Sequence, residues 1–312
     1  IYISPPTIQH HLKHHLSDIN SVVFHSSFPL FATGSDDTTA ILYDGTTTPA
    51  TIQHHFKNHQ YWVLTVAFHP HFLFLITTSC DSSVILYDIS VLPPVLKYHL
   101  KHHTDGVGCV AFHPSLPFLA TGSADCSTIL YDISALSLLS STPILTPSQP
   151  PTIKCNLQHH RGTVRSIAFH DTLQLLATGS YDKTVILYNL NTVPPSIKHH
   201  LKRHRHGIRS IAFHPHLPLL SSGSVHYAWI TFYNLNDCFW MSFNNSWLII
   251  WSKPNQIKYN PKLITKNKAW RIKKGELILF QICFKLVSNW FQIGFKLVSN
   301  FFQNVASFLE KS

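Results

Sequence analysis

A Phe-His step recurs five times in this chain and sets a sequence period. It stands at Phe24-His25, Phe68-His69, Phe112-His113, Phe169-His170 and Phe213-His214, at intervals of 44, 44, 57 and 44 residues. Short apolar runs bounded by turn residues surround each copy, such as VGCVAFH, FLATGS and STILYD in the third. Runs of this length, rich in β-branched and aromatic residues, predict consecutive antiparallel strands rather than helices.

The period predicts an all-β fold of the β-propeller class. Units of about 40–45 residues with several strands each are typical of propeller blades. We expect three inner strands per repeat, near 19–25, 30–35 and 39–44 in the first, and an outer strand such as residues 8–13 before them. The longer interval holds 13 additional residues within 135–152, a segment rich in Pro, Ser and Thr. That composition predicts a surface loop.

At these residues the chain resembles the WD-repeat family. The family pattern has a His before the first strand, a V-x-S-V-A-F strand, an L-A-T-G-S strand, an Asp in the next turn, and a Trp-Asp at the end of the third strand. In this chain Tyr replaces the Trp in every copy. The resemblance covers residues 8–237, with repeats at about 8–50, 52–94, 96–138, 153–193 and 197–237.

The resemblance implies a structural hydrogen-bond network in each blade. The turn Asp would accept hydrogen bonds from its turn and from the leading His, and the His would bond a Thr that reaches the Tyr. The residues are His15, Thr33, Asp37 and Tyr43; His59, Thr77, Asp81 and Tyr87; His103, Thr121, Asp125 and Tyr131; His160, Thr178, Asp182 and Tyr188; and His204 in the fifth repeat. A hydroxyl, a His and an Asp could also form a catalytic triad. Recurrence in every repeat favours the structural interpretation, and we predict no catalytic residue.

The many histidines raise the question of a metal site. The pairs His10-His11, His54-His55 and His199-His200 fall on predicted outer strands. Adjacent residues of a strand face opposite ways, and zinc needs three or four ligands about 2 Å from one ion. We therefore predict no metal site, and the absence of a nucleotide-binding or nucleophile motif predicts no cofactor.

The His of the Phe-His steps and a group of basic residues lead to two further predictions. The five His of the Phe-His steps stand at turn starts, where we expect them to bond the local backbone and to be mostly part-exposed. Their number suggests pH-dependent binding near the ordinary His pKa of about 6.5. Four basic residues cluster at one blade edge, as a solvated rim or as a contact for an acidic partner: Lys202, Arg203, Arg205 and Arg209.

The net charge of +10 is placed unevenly. Residues 1–237 carry 13 Lys and Arg against 12 Asp, whereas residues 238–312 carry 11 Lys and Arg against two Glu. The repeats are almost neutral, so no nucleic-acid partner is expected. Six Cys without a paired spacing predict reduced thiols and an intracellular, cytoplasmic location. The chain begins with Ile rather than Met, which suggests a fragment.

Residues 238–312 form a basic, aromatic tail that we expect to lie outside the propeller. The tail has no His, and FQICFKLVSNW at 280–290 recurs as FQIGFKLVSNF at 291–301. An 11-residue period is compatible with a helix. A disordered tail, a membrane-surface helix and a non-native translation product remain alternatives for this segment.

We predict a non-enzymatic scaffold that binds a protein or peptide partner. The alternatives are a membrane- or coat-associated adaptor that uses the tail, and a degenerate gene product. The blade number stays open at this point, between a closed ring of five and a larger propeller of which two blades are lost, because propellers of about 4–8 blades exist.

Overall fold

The structure is a computed structural model that describes residues 11–137, 149–225, 230–235, 240–244 and 247–251. Twenty-one strands in these ranges form five antiparallel sheets, and the helix there is the single turn α1 (Ser134–Ser137). Because the runs of four to seven apolar residues end at turn residues, each becomes one short strand. The all-β prediction of propeller blades is confirmed.

Each sheet follows the chain in order from its innermost to its outermost strand. The first sheet has β1 (Ile19–Phe24), β2 (Leu30–Ser35), β3 (Ala40–Asp44) and β4 (Thr51–Phe56). The second has β5 (Val63–Phe68), β6 (Phe74–Ser79), β7 (Val84–Asp88) and β8 (Val95–Leu100). The third has β9 (Val107–Phe112), β10 (Phe118–Ser123), β11 (Thr128–Asp132) and β12 (Thr152–Leu157).

The fourth and fifth sheets continue this order. The fourth has β13 (Val164–His170), β14 (Leu175–Ser180), β15 (Val185–Asn189) and β16 (Ser196–Leu201). The fifth has β17 (Ile208–Phe213), β18 (Leu219–Ser224), β19 (Ile230–Asn234), β20 (Trp240–Asn244) and β21 (Trp247–Trp251). An outer strand such as β4 belongs to the sheet before the repeat that it introduces, because it pairs with β3.

The two ends of the described repeats differ from expectation. Strand β19 pairs with β20, in register from Ile230 opposite Phe243 to Tyr233 opposite Trp240, and β21 pairs with β20. Strand β20 therefore takes the fourth place in this sheet, and residues 11–13, the described part of the outer strand expected at 8–13, form no strand. Aromatic and β-branched residues at 240–251 favour strands although they lack the repeat motif. The sheet thus extends past residue 237, where we placed the end of the repeats. The segment at 280–301, whose 11-residue period is compatible with a helix, lies outside the described residues.

The hydrophobic core lies between consecutive sheets. The first strand of each later sheet packs on the second strand of the sheet before it. Val63 and Val66 of β5, for example, lie over Gly34 of β2, and Val164 of β13 lies over Gly122 of β10. A bulge between Val63 and Thr65 places two apolar residues three positions apart on the same face.

Two glycines at equivalent positions give a matched test of this packing. A Cβ on Gly122 would lie 2.7 Å from Cys109 Sγ and 2.7 Å from Val164 Cγ1, whereas no described atom lies within 4 Å of a Cβ on Gly223. We expect Gly122→Ala to lower the free energy of unfolding by roughly 1–3 kcal/mol through overpacking. Gly223→Ala should leave it unchanged or raise it slightly, and urea denaturation of both variants measures the difference. Equal effects would contradict the packing argument.

Candidate functional site

The His, Thr, Asp and Tyr predicted for the third repeat come together in the third sheet. His103 Nδ1 lies 2.9 Å from Asp125 Oδ2, and His103 Nε2 lies 2.8 Å from Thr121 Oγ1. Since a carboxylate only accepts hydrogen bonds, Nδ1 carries the proton and donates it, and the neutral Nε2 accepts the Thr121 hydroxyl. Burial lowers the pKa of His103, although Asp125 opposes this shift, so the ring stays neutral near pH 7.

Three other repeats have the same geometry. The His Nδ1 to Asp Oδ2 distance is 2.8–2.9 Å and the His Nε2 to Thr Oγ1 distance is 2.7 Å in the sets around His15, His59 and His160. The carboxylate also accepts the backbone amide of the residue after the His, as in Arg161 N to Asp182 at 2.8 Å. The network spans the loop before the first strand and the turn between the second and third strands.

The turn itself explains why an Asp is needed. The residue after the Asp has a left-handed backbone, with φ of 71° at Thr38, 65° at Ser82, 69° at Cys126 and 75° at Lys183. This region is unfavourable for residues other than Gly. Asp125 Oδ1 accepts the Ser127 amide at 2.9 Å and the Ser127 hydroxyl at 2.6 Å, which closes the turn around Cys126. Burial would raise the pKa of Asp125, but these bonds and those from Thr104 and His103 hold it below its ordinary value.

The Tyr end of the network has a partner that the sequence did not reveal. The hydroxyl of Tyr131 lies 3.2 Å from Nδ1 of His102, the residue before the leading His, and His14 and His159 contact Tyr43 and Tyr188 in the same way. In the second repeat the Tyr87 hydroxyl donates to Asn58 Oδ1 at 3.0 Å. Burial raises the pKa of Tyr131 to about 12. In the sequence, the signal for this partner was the His or Asn that recurs just before the leading His.

The fifth repeat holds only part of the network. His204 Nε2 lies 2.6 Å from Ser222 Oγ, which replaces the Thr, and Ser222 reaches the Tyr233 hydroxyl at 3.4 Å. The position of the turn Asp is occupied by His226 in the sequence and lies outside the described residues. Among the described groups none bonds His204 Nδ1, and burial lowers the pKa of this ring to about 4.

The His of the Phe-His steps form a second repeated arrangement. Nδ1 of His69 accepts the backbone amides of His71 and Phe72, both at 3.1 Å, and its ring packs on Phe112 of the next sheet with centroids 4.9 Å apart. His25, His113 and His170 contact the next Phe at 5.1–5.2 Å. Only His214 is half-exposed, so the expectation that most of these side chains are part-exposed is wrong. The neighbouring sheet covers each of the other four rings.

A third set of side chains is exposed at the loop end of the sheets, where the first strands begin. Tyr61 and Trp62 lie in the loop before β5, and Tyr181 in the turn after β14, and all three are exposed. The Arg165 guanidinium lies 5.5 Å from the Tyr181 ring centroid, and Arg161 is exposed nearby in the chain. We call Tyr61, Trp62, Arg161, Arg165 and Tyr181 the loop-end surface. At the positions of Tyr61 and Trp62 the other repeats have small, polar or His residues, which was the signal available in the sequence.

The described ranges also bear on metal sites, thiols and membrane-spanning helices. There, no group of three or more His, Cys, Asp or Glu side chains is arranged to hold a metal ion. Cys80, Cys109, Cys126 and Cys155 are free thiols. In the same ranges no helix has the length and apolar character needed to cross a membrane.

Comparison with known proteins agrees with this geometry. The family model described as WD domain, G-beta repeat matches five times, at residues 6–44, 50–88, 94–132, 151–189 and 195–226. These matches cover more than half of the chain. The chain belongs to the WD-repeat family. WD repeats generally mediate binding to protein partners, in proteins that are typically not enzymes. A search of curated proteins gave no significant match.

Proposed function

We propose that this WD-repeat protein is a non-enzymatic scaffold that binds a protein or peptide partner on its loop-end surface. The observation that carries the proposal is the exposure of Tyr61 and Trp62 in the loop before β5, at the end of the sheets where Tyr181 of the fourth sheet is also exposed and contacts Arg165. Trp, Tyr and Arg are the residues that most often dominate the binding energy of protein interfaces.

The backbone holds this surface in place. The Cys80 amide donates to the Trp62 carbonyl at 3.0 Å, and the Ser79 hydroxyl donates to the Tyr61 carbonyl at 3.0 Å. In the fourth sheet the Tyr181 amide donates to the Thr163 carbonyl at 2.9 Å. Because the loops are tied to the turns, little conformational entropy is lost when a partner binds.

The repeated networks support a role without catalysis. In three sheets the hydroxyl that a triad would use, on Thr77, Thr121 and Thr178, has no solvent exposure. A substrate could not reach these oxygens without opening the sheet. Their hydrogen bonds to the His rings instead connect the loop to the second strand, which supports a structural role for all of the predicted site residues.

Site-specific photo-crosslinking tests the proposal. A crosslinking amino acid at position 62 should capture a discrete partner in source-cell extract, and the purified partner should bind Trp62→Ala at least tenfold more weakly, which is about 1.4 kcal/mol. The matched control is position 193, because Val193 is exposed in the linker between β15 and β16 at the opposite end of the sheets. Equal capture at both positions, or unchanged affinity of Trp62→Ala, would count against the loop-end surface.

A further inference from the structure

The Arg165 side chain extends from β13 across the first strand of the third sheet. Its Nη1 lies 3.4 Å from the position of a Cβ on Gly108, so the absence of a side chain there leaves its path open. Its guanidinium lies 5.5 Å from the ring centroid of Tyr181. Burial raises the pKa of Cys80, and the charge of Arg165 opposes this shift. Since the Cys80 amide donates to the Trp62 carbonyl, Arg165 connects the Trp62 part of the loop-end surface with Tyr181.

The turn at Tyr181 joins Arg165 to a second Arg. The Arg161 amide donates to the carboxylate of Asp182, the residue after Tyr181, at 2.8 Å. The Tyr181 ring also lies against the loop before β17, since a Cβ on Gly207 would lie 2.7 Å from Tyr181 Cδ1. The turn is therefore held by its own sheet and by the next one, and it keeps Arg161 and Arg165 at one place on the surface.

Strand β17 carries a third Arg beside these two. Ser166 Oγ accepts the Ile211 amide at 3.0 Å, which places β17 directly beside β13. Arg209 and Arg165 each follow the buried first residue of their strand, and Arg209 is exposed. The same position in the other three first strands is uncharged, with Asn20, Leu64 and Gly108. Positive charge at this position is thus confined to the fourth and fifth sheets.

Carboxylates of the described residues do not neutralise these three Arg side chains. The ion pairs in the described ranges join Lys97 to Asp88 and four His to the turn Asp. The carboxylate of Asp182 is occupied by donors of its own sheet, including His160. A guanidinium presents five N–H donors in a plane and binds a carboxylate through two of them. The three Arg side chains therefore suit an acidic ligand.

Acidic side chains on the same end of the sheets limit the length of such a ligand. Asp18 and Asp105, in the loops before β1 and β9, are exposed. A long polyanion such as a nucleic acid would lie against them, and the juxtaposition of like charges disfavours binding. The repeats as a whole are also almost neutral, with 13 Lys and Arg against 12 Asp in residues 1–237. The charge pattern favours a short acidic segment over a nucleic-acid strand.

We propose that the partner of the loop-end surface presents a short acidic peptide segment to Arg161, Arg165 and Arg209. An apolar or aromatic side chain of the same segment packs on Trp62. This inference rests on the proposed function and adds the chemistry of the partner. The Tyr181 contact holds the Arg165 guanidinium, so little side-chain entropy is lost when a carboxylate binds.

Selection from a random-peptide phage library on the immobilised full chain tests this inference. The enriched peptides should contain more Asp and Glu than the unselected library. With a fluorescein-labelled peptide from the most enriched clone, Arg165→Gln should weaken binding about tenfold. Arg165→Lys should weaken it less, because Lys keeps the charge without the planar fork. Lys198→Gln is the matched control. It removes the same charge at an exposed position on the outermost strand β16, and it should bind like the wild type.

A second variant keeps the test independent of folding. If far-UV circular dichroism shows that Arg165→Gln does not fold, Arg161→Gln replaces it, because Arg161 is exposed and Gln keeps the backbone amide that Asp182 accepts. The inference fails if no peptide is enriched, if the enriched peptides are not acidic, or if both Gln variants bind them like the wild type.

Two further outcomes would overturn the inference. A labelled oligothymidylate that binds the wild type more tightly than the acidic peptides would identify a nucleic-acid surface instead. A partner that is crosslinked at position 62 but contacts the chain through a segment without Asp or Glu would leave the proposed function intact and remove the acidic peptide alone.

Discussion

Replacing Asp125 with Ala should lower the free energy of unfolding by roughly 2–3 kcal/mol, because several donors lose their acceptor at once. The carboxylate accepts His103 Nδ1, the Thr104 amide, and the amide and hydroxyl of Ser127. Without it, Cys126 also loses the hydrogen bonds that hold its left-handed backbone. Urea denaturation measures the effect, and hydrogen exchange should show the largest loss of protection in β10 and β11.

Two variants sharpen this test. Asp132→Ala is a matched control in the same sheet, because Asp132 accepts the Ser134 amide at 2.9 Å in an exposed turn and lies outside the network, and it should cost much less. The reciprocal change, His226→Asp, places the missing acceptor at the turn position of the fifth repeat. It should stabilise the chain, since His204 Nδ1 has no partner in the described region. If Asp125→Ala unfolds at the same urea concentration as the parent, the network is not a stabilising element.

Much of the fold was predictable because the sequence repeats it. Five copies of one strand pattern located the inner strands, and the fixed His, Thr, Asp and Tyr positions located the contacts. The partner of the Tyr was harder to find, because it is a His in three repeats and an Asn in one. Strands β20 and β21 were missed because their sequence shares no motif with the repeats. Composition alone did not place them in a sheet.

Burial was the property that sequence predicted least well. His69 looks like an ordinary turn residue, but Phe112, 43 residues later in the chain, packs against its ring in addition to Phe72 and Phe74 of its own repeat. Ile19 and Val22 show the opposite error. They match the buried Val63 and Val66 in pattern, but no sheet packs against them among the described residues. In both cases the burial of the side chain depends on whether a residue of another repeat packs against it. A local sequence pattern does not contain that residue.

Acidification from pH 7.5 to pH 5 should destabilise the chain strongly, because several buried His must stay neutral in the folded state. Burial lowers the pKa of His69 and of His204 to about 4, and it also lowers the pKa of His25 and His113. For His69 the geometry agrees, since a protonated Nδ1 could not accept the amides of His71 and Phe72.

The sign follows from proton uptake. Below the unfolded pKa of about 6.5 the unfolded chain binds protons that the folded chain excludes, so stability is full above pH 6.5 and is lost as the pH falls toward 4. Each proton that the folded chain excludes lowers the free energy of unfolding by about 1.4 kcal/mol per pH unit. The turn carboxylates affect stability in a separate pH range. Hydrogen bonds that outweigh burial lower the pKa of Asp81 to about 2, so its contribution is lost only below about pH 4.

The pH dependence of the urea midpoint measures this effect. We expect a steep fall between pH 6.5 and pH 4.5, and a shallower one in His69→Asn, because an Asn side chain can accept the same turn amides without titrating. The matched control is His71→Asn in the same turn, since His71 is exposed and does not accept those amides. A midpoint that stays constant between pH 7.5 and pH 5 would show that these rings are protonated in the folded chain. A His69→Asn slope equal to that of the wild type would remove His69 from the set of groups responsible.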